Sequence, residues 1–366
     1  VDAQEKDVLL SSNEELGYPI LVGTSLRRDF VRFVRTTTDR FVVLTDERPA
    51  VAAYARELTD GIPGRLGFLR MPLGERRKRL ATVERTLELL LAHGADRQTL
   101  IVGLGGGVAN DLFGFAAATF MRGVPYAHVA TSLVAMADAA VGGKTGVDLS
   151  GGKNIAGVFK DPQAVFCPTE TLQTLPFRHI REGLAEVVKH AIIAGNGLFD
   201  ALENLAPHPF AKWLWPAVVA SSVDVKAAVV AGDPREGGTR EVLNLGHTFA
   251  HAIERASAFR ISHGAAVSLG LRGAGLLALR NDRFSEREHL RVLALLALLR
   301  LPMCMPLRPD RVFEAMRADK KRRDGRLRFV LPNAIGAVEY GIAVTNDAVI
   351  EVLDRMTRPP AAPEFR

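Results

Sequence analysis

Arg240, Asn244, His247 and His251 lie in one run, TREVLNLGHTFAHAIE, from Thr239 to Glu254. Read as a helix, the run brings these four within roughly 60° of one another on one face. Val242, Leu245, Phe249 and Ile253 take the opposite face, so the apolar side belongs to a core. Burying an Arg, an Asn and two His costs on the order of several kcal/mol unless they meet charges, a metal or a ligand. The ordinary alternative is an amphipathic helix whose polar face meets solvent. Against it, the polar face carries no Glu, Lys or Gln filler before Glu254, and two histidines four apart can converge on one point. The stripe is expected to form one wall of an active site.

Two other segments extend the set. In REGLAEVVKH, Arg181 to His190, Glu186 and Lys189 share a face at i, i+3. Such a pair is usually a surface ion pair, but apolar neighbours on both sides argue for burial. His263, in Ser262-His263-Gly264, opens another helical pattern. Glu186, His247 and His263 make a two-histidine, one-carboxylate set, the composition of a catalytic Zn²⁺ site with an open position. Imidazole also suits other divalent metals, so the ion stays open.

A glycine turn is the second chemical feature. The strand pattern TLIVGL runs into Gly105-Gly106-Gly107 and then into VANDLFGFAAATFM, a helical pattern. The glycines permit a tight turn and close approach of a ligand, and the helix start offers free N–H groups to a phosphate. The spacing is not GxGxxG, and a plain structural turn explains it about as well. Asp111 suits a ribose or nicotinamide amide, or merely complements the helix dipole. Asp46, after the strand pattern FVVLT, suits ribose hydroxyls or a simple turn. Leu73 to Lys78 reads as a ligand loop entering a helix over Glu75–Leu91, or as an ordinary helical Glu/Lys pair. In ADAAVGGKTGVDLSGGKN, Ala137 to Asn154, glycine pairs precede Lys144 and Lys153, with Asp138 and Asn154 nearby. Two ammonium groups on closely approachable backbone suggest a polyanion site.

The elements that must position these groups alternate. Ile20–Gly23, Phe41–Thr45, Leu66–Met71, Thr99–Leu104, Tyr126–Ala130 and Ala164–Cys167 are short apolar or β-branched runs, with helical patterns such as Ala50–Leu58 between them. This predicts βαβ units and a mostly parallel sheet, with ligands beyond the carboxyl ends of the strands. After Leu175-Pro176 the strand signals nearly stop. The expected division is an α/β domain over 1–176, a mainly helical domain over 177–357 and an unpacked tail over 358–366.

A length of 366 residues leaves room for two cores. The net charge of +6 comes from dispersed Arg and Lys, which fits an anionic small molecule at least as well as nucleic acid. Cys167 and Cys304 give no disulfide framework, which suits a reducing cytosol. The most apolar runs, Ala265–Leu279 and Val292–Leu301, are short and interrupted by Arg272 and Arg300, so no membrane partner is expected.

With these residues in hand the chain resembles the 3-dehydroquinate synthases of the sugar phosphate cyclase group. GGGVANDLFGFAAATFMRG, DAAVGGKTGVDLSGGKNIAGVF, TLQTLPFRHIREGLAEVVK, EGGTREVLNLGHTFAHAIE and DKKRRDGRLRFVLP resemble successive family blocks in order, from about Leu73 to Pro332. The resemblance implies a Rossmann-like NAD-binding α/β domain followed by a mainly α-helical metal-binding domain, in a cytoplasmic homodimer. It also implies conversion of 3-deoxy-arabino-heptulosonate 7-phosphate to 3-dehydroquinate and phosphate. The route is transient oxidation by NAD, phosphate elimination, reduction and intramolecular aldol closure, with a divalent metal, Zn or Co.

By the same resemblance Glu186, His247 and His263 are the metal ligands. Asp46, Glu75, Lys78, Gly106, Gly107, Val108, Asp111, Thr131, Ser132, Thr171, Leu172 and Thr174 would contact NAD, joined by Lys144 and Lys153. Asp138, Lys144, Lys153, Asn154, Lys189, Lys226, Arg240, Asn244 and His251 take substrate or catalytic positions. Arg122 would reach the phosphate of a neighbouring subunit's substrate, and Lys320 or Lys321 would close over that phosphate. Two departures stand out: Ala130-Thr131-Ser132 replaces a common Pro-Thr-Thr turn, and Ala250 replaces a common glycine. Two rivals stay open. One is a cyclase of secondary metabolism acting on sedoheptulose 7-phosphate or an amino analogue, the other a metal-dependent polyol dehydrogenase.

Overall fold

The computed structural model describes residues 8–11, 16–205, 215–320 and 327–360. The chain divides into two compact units. The first runs to Ile180 and takes in a later helix up to Ala231; the second is built from the remainder, beginning at Arg181.

In the first unit, strands β1 (Val8–Ser11), β2 (Ile20–Gly23), β3 (Phe41–Asp46), β4 (Arg65–Met71), β5 (Leu100–Gly105) and β6 (Tyr126–Ala130) precede the hairpin β7 (Lys144–Leu149) and β8 (Gly152–Phe159), and β9 (Ala164–Pro168) follows. Seven of them form one sheet in the order β1-β2-β9-β6-β5-β3-β4, parallel except for the β1–β2 pair. Helices α1 (Arg27–Thr37), α2 (Pro49–Thr59), α3 (Leu80–Ala92) and α4 (Gly107–Thr119) cover its faces. Alternate strand residues face opposite ways, as a pleated strand requires. Val42, Leu44, Ile101 and Tyr126 pack with Phe113 and Ala116 of α4, whereas Phe41, Val43, Val102 and Val129 pack with Phe30 of α1 and Leu58 of α2. The chain leaves β3 for β4 on one side and returns through β5 to β6 on the other, so the strand order reverses between β3 and β5. Such a reversal opens a crevice at the carboxyl ends of the strands, where ligands of α/β sheets bind.

The six expected strands form within a residue at each end. The β7–β8 hairpin is not among the expected strands, because its glycines mask the alternation that marks a strand. The helix expected from Glu75 begins only at Leu80. A 3₁₀ turn covers Glu75–Arg77, and the backbone then pairs with β7, Asp148 N–H donating to Lys78 C=O at 2.8 Å. Sheet hydrogen bonds there displace the helical ones.

The second unit draws on helices α5 (Phe177–Ala194, from Arg181) and α6 (Asn196–Leu205); α7 (Trp215–Gly232) packs in the first unit up to Ala231. By length and composition α7 could span a membrane, yet half of it is buried inside protein and it carries Asp224 and Lys226. Next come α8 (His247–Ala256), α9 (His263–Arg280), α10 (Glu286–Leu298), α11 (Pro309–Lys320) and α12 (Asn346–Met356), with the hairpin β10 (Arg328–Ala334) and β11 (Ala337–Ala343) before α12. That hairpin lies where strand signals were read as nearly absent. The central helix α9 is buried from Gly264 to Ala278 apart from Ala265, as expected of a helix apolar on every side. Its one buried charge, Arg272, donates to the carbonyls of Met303, Arg355, Met356 and Arg358 and so caps the end of α12.

Candidate active site

At the strand reversal in the first unit, Gly105 ends β5 with φ 158°. A Cβ there would lie 2.5 Å from Ala109 Cβ, and one on Gly106 would lie 3.1 Å from Ser132 Oγ. Thr131 N–H donates to Gly105 C=O at 2.9 Å. The buried Asn110, with its amide nitrogen turned to the turn's carbonyls, donates to Gly106 O at 2.9 Å and Gly105 O at 3.1 Å. The turn is therefore fixed from behind, while Gly107 and Val108 open α4 with N–H groups that have no helical partner. Such a cradle fits the pyrophosphate of a dinucleotide. Asp46, buried at the end of β3, has both oxygens engaged by Arg48: N–H to Oδ1 at 3.0 Å, Nη2 to Oδ2 at 2.6 Å.

Nearby, the buried Lys78 ammonium donates to Asp111 Oδ2 and Asn154 Oδ1, each at 2.5 Å. Burial pushes the Asp111 carboxyl up and Lys78 opposes it; the net direction is up. Lys153 pairs with Glu75 at 2.8 Å, and Lys226 donates to Asp138, to its carbonyl and to Oδ1 at 2.6 Å. Thr171 and Leu172 are buried in a 3₁₀ turn, and Thr174, just beyond it, is exposed and donates to Thr171 C=O at 3.1 Å. Lys144 and Lys153 are not brought together. They stand at opposite ends of the hairpin, Lys144 opposite Phe159 and Lys153 beside the turn, separated by roughly 13 Å of strand rise along β7. Arg122 is exposed on a turn in which Met121 and Arg122 have φ of 47° and 70°.

The second unit carries the histidines. The run 239–254 is not one helix: a 3₁₀ turn spans Thr239–Asn244, and α8 starts at His247. The break falls at Gly246, φ 79°, where a Cβ would lie 2.9 Å from Leu271 N; a Cβ on Gly270 of α9 would lie 2.1 Å from Gly246 O. The two glycines let α8 press its first turn onto α9, and that contact replaces the expected helical continuity. Arg240 is accordingly placed by a turn. Asp233 accepts N–H bonds from Gly237 and Gly238 at 2.7 Å and from Arg240 at 3.1 Å, while Arg240 Nη1 donates to Pro234 C=O at 2.8 Å. Arg240 is buried, Asn244 half-buried and His251 exposed.

From α5, Glu186 projects into the same cluster with 0% exposure. Its Oε1 lies 2.9 Å from His263 Nε2 and 3.6 Å from His247 Nε2, and its Oε2 lies 2.6 Å from Lys189 Nζ. One ligand atom from each of Glu186, His247 and His263 falls within 4.8 Å of the others. His247 Nδ1 is 3.2 Å from Leu245 C=O, which leaves Nε2 free to coordinate. Burial alone would raise the Glu186 carboxyl, but Lys189, His263 and His247 hold it well below the usual range. Burial depresses His247 to about 3, against the pull of Glu186. For His263 burial is outweighed by Glu186 and Glu254, which raise it to about 10. Two imidazoles and a carboxylate converging on one point fit a divalent cation, whose binding would displace the proton that the two carboxylates hold on His263.

Three carboxylates outside the expected site set hold this arrangement: Glu254, Glu182 and Asp233. Glu254, expected as surface filler, is buried. Glu182 accepts from Gly264 N–H at 2.6 Å and from the Ser262 hydroxyl, and so caps α9 from α5; Asp233 organises the Arg240 turn. The available signals were spacing from known site residues: Glu182 four before Glu186, and Glu254 seven after His247. Lys320 ends α11, and Lys321 lies outside the described residues, as does 361–366 of the expected tail.

Comparison with known proteins agrees with these two arrangements. Residues 68–182 match the 3-dehydroquinate synthase N-terminal family model and residues 183–322 the C-terminal one. A 3-dehydroquinate synthase of Gloeobacter violaceus is 44% identical over 291 residues, 78% of this chain and 80% of that protein. Among solved structures, 2-deoxy-scyllo-inosose synthase complexed with carbaglucose-6-phosphate, NAD⁺ and Co²⁺ aligns with a TM-score of 0.84 at 27% identity, covering 92% of this chain and 96% of the other. The 2-epi-5-epi-valiolone synthase of Streptomyces hygroscopicus with NAD⁺ and Zn²⁺ bound also gives 0.84 at 27%, covering 97% and 98%. With both family models matched in order, and a relative of that identity covered over most of its length, the chain belongs to the 3-dehydroquinate synthase family.

Proposed function

We propose that this chain converts 3-deoxy-arabino-heptulosonate 7-phosphate to 3-dehydroquinate and phosphate, as a carbon-oxygen lyase of the shikimate pathway. The observation that carries the reading is the buried Glu186–His247–His263 cluster with Lys189 against it, in a chain of this family. In this reading the cluster holds Zn²⁺ or Co²⁺, and the turn Gly105–Val108 with Asp46, Asp111, Lys78 and Ser132 holds NAD. When bound, the two supply Lewis-acid polarisation and reversible storage of a hydride, with no net redox change.

The side chains bind, orient and balance charge. The planar fork of Arg240, fixed by the Asp233 turn, suits the substrate carboxylate. Lys144, Asn154, Lys189, Lys226, Asn244 and His251 contribute cations and hydrogen bonds to the phosphate and hydroxyls. Arg122 and Lys320 or Lys321 would complete the phosphate set, in a cytoplasmic homodimer. The leaving phosphate takes up much of the proton itself, so the protein mainly positions the substrate and stabilises developing charge. Higher identity to 3-dehydroquinate synthases than to the two solved cyclases supports the acid substrate over neutral sugar phosphates.

The test is phosphate release from 3-deoxy-arabino-heptulosonate 7-phosphate by metal-loaded protein with NAD⁺, with sedoheptulose 7-phosphate in parallel and absorbance of NADH followed throughout. Release from the acid alone, without net NADH, is expected. Turnover of only the neutral sugar, or steady NADH formation with a polyol, would overturn the reading.

A further inference from the structure

Glu254 lies on α8 three residues beyond His251 and seven beyond His247, on the helix face that carries both. Its side chain is buried, although a carboxylate on a helix surface ordinarily sits in water. Its Oε1 is 3.6 Å from His263 Nδ1, while the other ring nitrogen, Nε2, is 2.9 Å from Glu186 Oε1. The His263 ring thus stands between a carboxylate of α5 and one of α8. Glu182 holds the residues on either side of it, accepting from the Ser262 hydroxyl and the Gly264 N–H, and does not touch the ring. Of these three carboxylates, Glu254 is the one that meets the nitrogen facing away from the cluster.

We propose that Glu254 is the positioning residue for His263: it keeps the ring proton on Nδ1 and the ring oriented, so that the Nε2 lone pair is available to a divalent ion. The inference rests on the metal reading of Glu186, His247 and His263. A coordinating imidazole gains basicity and loses rotational freedom when its far nitrogen donates to a carboxylate. His247 meets the same need with a neutral acceptor, the Leu245 carbonyl, and is packed in the interior. His263 is 35% exposed, so packing alone does not fix its ring, and the charged partner falls to the less buried histidine.

The test is titration of metal-free protein with Co²⁺, followed by d–d absorption and by competition with a chelator of known affinity. The unaltered chain, Glu254→Gln and Glu254→Ala are compared, together with the thermal unfolding of each metal-free protein. The unaltered chain is expected to bind one equivalent. Glu254→Ala is expected to bind about 10–100-fold more weakly with a changed d–d envelope. Glu254→Gln, which keeps an acceptor oxygen and loses the charge, is expected to fall between. If Glu254→Ala does not fold, the near-isosteric Gln variant decides: weakening of about threefold or more with a changed envelope supports the role, and less overturns it. Weaker binding with an unchanged envelope makes Glu254 a helix-packing residue and overturns it too. Failure of the unaltered chain to bind Co²⁺ overturns the metal reading itself, and with it this role.

Discussion

The glycine turn of the first unit and the histidine cluster of the second are built on opposite plans. The turn takes its parts from consecutive residues: β5 delivers Gly105, the next two glycines bend the backbone, and α4 begins at once. The cluster gathers Glu186, His247 and His263 from three helices, and each ligand is held by a residue that is not a ligand: Lys189, the Leu245 carbonyl and Glu254. A local site fails when its own backbone is altered. A gathered site fails when helices lose their spacing or when an outer partner is lost. Substitutions should therefore sort by unit, with NAD⁺ affinity reporting on one and Co²⁺ affinity on the other.

The largest effect is expected from removing a ligand. Glu186→Gln or His247→Ala should abolish retention of metal through dialysis and lower phosphate release by more than ~100-fold, beyond the cost of losing an outer partner. NAD⁺ affinity, measured by calorimetry, should hold within severalfold; its loss in the same variants would break the separation. Next come the glycines. Gly246→Ala puts a Cβ 2.9 Å from Leu271 N in a left-handed conformation, so a loss of about 2 kcal/mol in urea unfolding and weaker Co²⁺ binding are expected. Gly105→Ala meets Ala109 Cβ at 2.5 Å and should weaken NAD⁺ while leaving Co²⁺ binding intact.

Lys78→Met leaves the half-buried Asp111 without its ammonium, an effect of about 2 kcal/mol on stability. A loss below about 0.5 kcal/mol would mean that Asp111 takes up a proton and tolerates burial alone. The last expected effect, confined to acid pH, is on the pH dependence of stability. Burial lowers His289 to about 4, with Arg272 and Arg355 adding to it. A histidine with a depressed folded pKa binds a proton more readily when unfolded. Its contribution is whole above about 6.5 and is lost as pH falls toward about 4. Between pH 7 and pH 5 this one residue should remove about 2 kcal/mol, seen as a fall in Tm of the metal-free protein. His289→Phe should flatten that part of the profile, and an unchanged profile would place the acid sensitivity elsewhere.

What the sequence by itself determined is what short-range chemistry encodes. Apolar runs of four to six residues became six of the seven strands of the sheet, the three glycines became the turn at its reversal, and Glu186, His247 and His263 were legible as a set by residue type. The tertiary structure decided the rest, because each remaining feature depends on pairing or packing between segments that the local pattern does not show. The stripe from Arg240 to His251 reads as one helix until Gly270 of α9 presses against Gly246 and breaks it. Lys78 leaves its expected helix because β7 offers a hydrogen bond, and the two GGK repeats are separated by the hairpin they belong to. Glu254 is polar at the end of an amphipathic run, which in sequence means surface. Only the return of the chain through Ser257–Ser262 into α9 sets His263 beside it, and burial beside that imidazole turns a solvated carboxylate into a structural one.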